Sequence, residues 1–166
     1  KSVDGALKFS GEINAEAYLR IQTFVENGGR KLILNAHGGD AKFGQKIGLL
    51  LAQNQVSVLV DKYCLSSCAN YLFLGSAEKS LRPNAILGFH GGIGLPKVTK
   101  LAPTMPTDEP DELGKLQIQE KQFFDQLGVS YDLIDTSGEL TIAGKQTISV
   151  EFKCENSQKK FFDEKE

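Results

Sequence analysis

The stretch Lys31-Leu32-Ile33-Leu34-Asn35-Ala36-His37-Gly38-Gly39-Asp40 joins a continuous apolar run of strand length to a double-glycine turn. An apolar run of that length ending in glycines reads as a buried strand. The glycines free backbone N–H groups at its carboxyl end, since a residue without a β-carbon lets other atoms approach the chain closely. Downstream, Phe43 to Gln53 has helical spacing, and Val56-Ser57-Val58-Leu59-Val60-Asp61 is a second strand rich in β-branched residues. Cys64-Leu65-Ser66-Ser67-Cys68-Ala69 follows, and Cys68 to Gly75 is apolar nearly all round, which predicts a buried helix. Ala85-Ile86-Leu87-Gly88-Phe89 is a further strand, with His90 directly after it. Upstream, Ala6-Leu7-Lys8-Phe9 is short and apolar, and Ser10 to Asn14 turns. Asn14 suits the cap of a helix from Ala15 to Glu26, where Tyr18, Ile21, Phe24 and Val25 recur at helical spacing, and Asn27-Gly28-Gly29 ends it.

Strands separated by helices of about ten to fifteen residues predict βαβ units and a largely parallel sheet. Sites in such sheets lie outside the carboxyl ends of strands. Gly38-Gly39, Ser66-Ser67 and His90 all follow strands, so the pattern brings them to one edge. They are also what acyl transfer to a serine needs: backbone donors, a hydroxyl nucleophile and a base.

The character changes after Gly91. Gly91 to Glu112 is glycine-rich, then acidic and punctuated by Pro103, Pro106 and Pro110, and it reads as a surface loop. Asp111 to Leu127 reads as an amphipathic helix through Leu113, Leu116, Ile118, Phe123, Phe124 and Leu127, ended by Gly128. Tyr131 to Ile134 suggests one more helical turn. Leu140-Thr141-Ile142, Ala143-Gly144-Lys145 and Thr147 to Phe152 read as a hairpin or late strand pair. The expected organisation is one domain over residues 1–154, with the loop at 91–112 and the helix at 113–128, and a frayed, charged tail at 155–166.

Composition narrows the function classes. With 166 residues, 40% of them hydrophobic, the chain can bury one core. A net charge of −2 with no basic stripe, no tryptophan and 8% aromatics argues against nucleic-acid binding. No apolar run approaches the roughly 20 residues of a membrane helix. No secretory signal is visible, and a start at Lys1 is compatible with a targeting segment having been removed. Two thiols and one histidine make a thin metal site, so neither metal nor cofactor is expected. Cys64, Cys68 and Cys154 read either as small buried hydrophobes or, for the first two, as a disulfide formed in an oxidising compartment. The disulfide favours a periplasmic or otherwise extracytoplasmic setting over a cytoplasmic one.

These motifs resemble the ClpP/crotonase superfamily, and within it the Clp-protease-like serine peptidases. Phe9-Ser10-Gly11-Glu12-Ile13-Asn14 resembles the opening strand and turn, and Asn35-Ala36-His37-Gly38-Gly39-Asp40 the glycine turn. Cys64-Leu65-Ser66-Ser67-Cys68-Ala69 resembles the nucleophile turn, with Gly75 in register, and Phe89-His90-Gly91 the strand-end histidine. The Cys-x-Ser-x-Cys form is similar to that of a group of periplasmic Clp-like proteins. The likeness covers about residues 6–91, and more weakly 111–134. It implies a ClpP/crotonase-like βαβ superhelix that forms homo-oligomers and acts on peptides or proteins.

The resemblance implies Ser66 as nucleophile, His90 as base, and the N–H groups of Gly39 and Ser67 as oxyanion donors. His37, the other histidine, precedes the glycine turn and would flank the substrate groove. Acids for a third member are Asp132, Asp135 and Glu139; Asp135 is preferred, and a Ser–His dyad stays open. The corresponding function is a serine hydrolase, a peptidase working through an acyl-enzyme. The alternative is a catalytically impaired Clp-like binding or assembly module, and a crotonase-type acyl-CoA enzyme is a third reading.

Overall fold

Three parallel strands, the second and third with alternating burial, set which face of the sheet meets the helices. In the computed structural model these are β2 (Ala6–Ile13), β3 (Lys31–Gly39) and β4 (Ser57–Leu65), with Leu7 opposite Leu32 and Leu32 opposite Val58. Leu32, Leu34 and Ala36 of β3 and Val58, Val60 and Cys64 of β4 are buried. The intervening Ile33, Asn35, Leu59, Asp61 and Tyr63 are only partly covered. The structure describes residues 2–3, 5–89, 91–93, 112–131, 133–134, 150–155 and 158–163, with backbone alone for 2–3, 112–113, 150–155 and 158–163.

Parallel strands need crossovers, and helices α1 (Ala15–Glu26) and α2 (Ala41–Gln53) supply them. Ala17, Ile21 and Val25 of α1 and Ile47 and Leu51 of α2 enter one core with the buried strand residues. Each helix starts where the sequence provides a cap: Asn14 Oδ1 accepts from the Ala17 N–H at 2.9 Å, and Asp40 Oδ1 from the Phe43 N–H at 3.1 Å.

The sheet order is β1-β2-β3-β4-β5, with β1 (Ser2–Val3) antiparallel to β2 and the rest parallel. β5 (Lys79–Leu81) pairs with Val58 to Val60, and β6 (Ile86–Gly88) pairs with Tyr63 to Leu65. The two short strands therefore follow one another along the same edge of β4. Between β4 and β5 runs a buried π-helix, Cys68–Phe73, where the sequence predicts an apolar helix. It packs closely on α2, since a β-carbon on Gly48 would come within 2.6 Å of the Tyr71 carbonyl oxygen. Helix α3 (Glu112–Leu127) brings Phe123 and Phe124 into the same core and ends at Gly128, whose φ of +64° suits glycine.

Several boundaries differ from the sequence reading. β2 and β3 continue through Gly11 and through Gly38-Gly39, because the ladder resumes after a register shift and places Glu12 opposite Gly38 and Ile13 opposite Gly39. β4 runs on past Asp61 to Leu65 because β6 pairs with its last three residues. Ile118, expected on the apolar face of α3, is half exposed. The tail expected to fray carries β8 (Gln158–Asp163), antiparallel to β7 (Val150–Glu155). Only two residues separate these strands, the shortest common hairpin connection, and the register puts Phe152 opposite Phe161. Residues 140–149 of the expected late strand pair and residues 94–111 of the expected loop lie outside the described residues.

Candidate active site

Ser66 sits directly after β4 with φ of +58°, in the left-handed region. For a residue with a β-carbon that conformation costs about 1–2 kcal/mol, so the surroundings must enforce it. Three restraints do. The Ser66 N–H donates to the Gly88 carbonyl of β6 at 2.8 Å, and its own carbonyl accepts from the Asn70 N–H at 2.9 Å. A disulfide between Cys64 and Cys68 spans the turn, with both residues fully buried. The result is a sharp strand-to-helix turn with a serine at its apex, the backbone form of a nucleophile elbow.

The double-glycine turn lies against this apex. A β-carbon on Gly38 would come within 2.7 Å of Ser66 Cβ, 2.8 Å of the Leu65 carbonyl oxygen and 2.9 Å of Ser66 Oγ. Gly38 (φ +106°) is thus the glycine that makes room for the serine. Gly39 is tight on its other side, where a β-carbon would strike the Ile13 backbone. The Ser67 hydroxyl, 3% exposed, donates to the Gly39 carbonyl at 2.8 Å and joins the two turns. Ser67 stands at the cap position of the π-helix, but its side chain makes no capping bond there.

Of the residues singled out in the sequence, Gly39, Ser66 and Ser67 come together. His90 and Asp135 lie outside the described residues, as do Asp132 and Glu139. Gly88, the last residue of β6, both pairs with Leu65 and accepts the Ser66 N–H. His37 is exposed and stacks on Tyr63, with centroids 4.1 Å apart, on the face of the sheet away from the helices. Among the described residues no cluster of His, Cys, Asp or Glu could hold a metal ion.

A carboxylate that the sequence reading passed over is the one most deeply placed. Glu120 of α3 is fully buried and accepts from the Tyr71 hydroxyl, from the Tyr131 hydroxyl at 2.8 Å and from the Ile93 N–H at 2.7 Å. Burial, with the Glu120 charge added to it, pushes the Tyr71 phenol well above its ordinary range. The available signal was periodicity: Glu120 falls in step with Leu116, Phe123, Phe124 and Leu127, an acid interrupting an apolar stripe.

A mostly parallel βαβ sheet with this arrangement of turns is a ClpP-like fold, and solved structures bear this out. ClpP1 from Listeria monocytogenes matches with a TM-score of 0.58 at 18% identity, over 80% of this chain and 78% of that one. A mutant of the same protein matches with a TM-score of 0.55 at 16% identity and the same coverage. A mutant of the membrane-bound stomatin-specific protease 1510-N matches with a TM-score of 0.56 at 14% identity, over 87% of this chain and 71% of that one. At these identities the likeness is one of fold. No protein-family model matches the sequence, and no curated protein matches it.

Proposed function

We propose that the chain is a serine hydrolase of the peptidase class, acting through an acyl-enzyme on Ser66. The observation that carries this reading is the left-handed Ser66 at the end of β4, packed against a glycine turn that leaves room for it. Ser66 Oγ attacks the substrate carbonyl while His90 takes its proton, and His90 then returns the proton to the leaving amine. Water, deprotonated by His90, releases the acyl group and restores the serine. The oxyanion is met by the N–H groups of Gly39 and Ser67. The Gly39 nitrogen is two covalent bonds from Gly38 Cα, which supports its lying near Ser66, and the Ser67-to-Gly39 hydrogen bond supports a fixed relation between the two donors. Asp135 is assigned to orient His90.

Peptides or proteins are the substrate class, in keeping with a fold neighbour that is a stomatin-specific protease. The Cys64–Cys68 disulfide favours an extracytoplasmic site of action, and assembly into homo-oligomers belongs to the same reading. The test is cleavage of a mixed peptide library by the native chain, Ser66→Ala and His90→Ala. Cleavage by the native chain alone supports the proposal. Equal cleavage by folded Ser66→Ala overturns it.

A further inference from the structure

Glu120 is the one fully buried carboxylate among the described residues, and the acyl-transfer scheme above gives it no part. A carboxylate is tolerated in a core only where hydrogen bonds replace its water. Its three partners all donate: the Tyr71 hydroxyl to Oε1, and the Tyr131 hydroxyl and the Ile93 N–H to Oε2. The position therefore asks for a group that only accepts.

What those partners join gives the residue its role. Tyr71 belongs to the π-helix that leaves Ser66, and Ile93 closes the short segment that leaves His90. The 91–93 backbone is seated directly on the carboxylate, since a β-carbon on Gly92 would collide with it. Glu120 is itself held by the core residues Phe123 and Phe124 on the next turn of α3, and the Tyr71 ring packs edge-on against Phe123 at 5.5 Å. One side chain thus ties together the two segments that run out of the site.

We propose that Glu120 is a positioning residue: through Tyr71 and the Ile93 N–H it sets how the base at position 90 meets the Ser66 hydroxyl. The proposal rests on the assignment of Ser66 and His90 as nucleophile and base. Glutamine at 120 keeps the shape but turns an NH2 group toward donors, so it loosens the tie without emptying the core.

The test is the kinetics of fluorophosphonate labelling at Ser66, separated into probe affinity and maximal inactivation rate, well below the melting temperature of each variant. Glu120→Gln is expected to lower the maximal rate by about tenfold or more and to leave probe affinity within about twofold, because binding is kept and the proton transfer is misaligned. A merely structural role would lower the melting temperature and leave the inactivation rate of folded protein unchanged, and that result overturns the proposal. Where Glu120→Gln does not fold, Ile93→Pro removes the single N–H donor at a half-exposed position and is expected to lower the rate in the same way; an unchanged rate in this variant also overturns the proposal. Should the native chain itself resist the probe, the hydrolase reading fails, and amide exchange at Ile93 decides the tie alone. Exchange faster by about tenfold in Glu120→Gln than in the native chain supports it, and equal exchange overturns it.

Discussion

The Ser67 hydroxyl donates to the Gly39 carbonyl at 2.8 Å, linking the turn after β4 to the last residue of β3 across 28 residues of sequence. The pairing of β3 with β4 ends at Ala36 and Cys64, so this bond fixes the distance between the two chain segments beyond it. Ser67→Ala is expected to cost about 1 kcal/mol in urea unfolding, the net worth of one hydrogen bond, and to slow fluorophosphonate labelling of Ser66 several-fold in folded protein. Labelling at the native rate would mean that the bond has no part in the site.

Gly38 and Gly28 both hold positive φ, +106° and +85°, but their surroundings differ. A β-carbon on Gly28 would meet nothing within 4 Å, whereas one on Gly38 would press on Ser66. Gly28→Ala is expected to cost about 1 kcal/mol of backbone strain and to leave Ser66 labelling at the native rate. Gly38→Ala carries the strain and the collision, and is expected to cost about 2 kcal/mol or more and to abolish labelling in the folded fraction. Thermal melts alongside labelling separate the two effects.

The Cys64–Cys68 disulfide spans the strained serine. Alkylation of the denatured, unreduced chain is expected to modify one thiol of the three cysteines, and all three after reduction. By the loop-closure model, breaking so short a loop costs about 2 kcal/mol. Three thiols alkylated without reduction would remove the support for an oxidising compartment.

Tyr71 gives the chain an alkaline signature. Its phenol is raised from an ordinary 10.0 by burial and by Glu120, so the folded state keeps a proton that the unfolded chain releases. The associated stability is fully present below pH 10 and is lost as pH rises above it. Above that point this group's contribution is expected to fall by about 1.4 kcal/mol per pH unit. Tyr71→Phe is expected to lower stability at neutral pH, because a buried carboxylate oxygen loses its donor, and to flatten the alkaline slope. Chemical unfolding at a series of alkaline pH values measures both.

The strands at the centre of the sheet were legible because Leu32 to Ala36 and Val56 to Val60 are apolar runs of strand length beside glycine or helix-capping residues. The caps at Asn14 and Asp40 were marked by residue type. Gly39, Ser66 and Ser67 could be brought together because a parallel sheet places successive carboxyl ends on one edge. What the sequence hid was tertiary. β5 is three residues, Lys79 to Leu81, with a charged start and no alternation, and it is a strand only because Val58 to Val60 stands beside it. Glu120 falls in step with the apolar stripe of α3, but its chain neighbours Gln117, Gln119, Lys121 and Gln122 are polar, so periodicity marks its face and not its partners. Its partners are 27 and 49 residues away along the chain for Ile93 and Tyr71, a distance no local pattern spans.

The proposed hydrolase depends on Ser66 as its nucleophile. The most direct measurement is the intact mass of the native chain after incubation with a fluorophosphonate probe, followed by mapping of the modified peptide. One adduct on Ser66, absent from folded Ser66→Ala and from His90→Ala, is the expected result. A native chain that stays fully folded and unmodified, or an adduct that persists in Ser66→Ala, would contradict it.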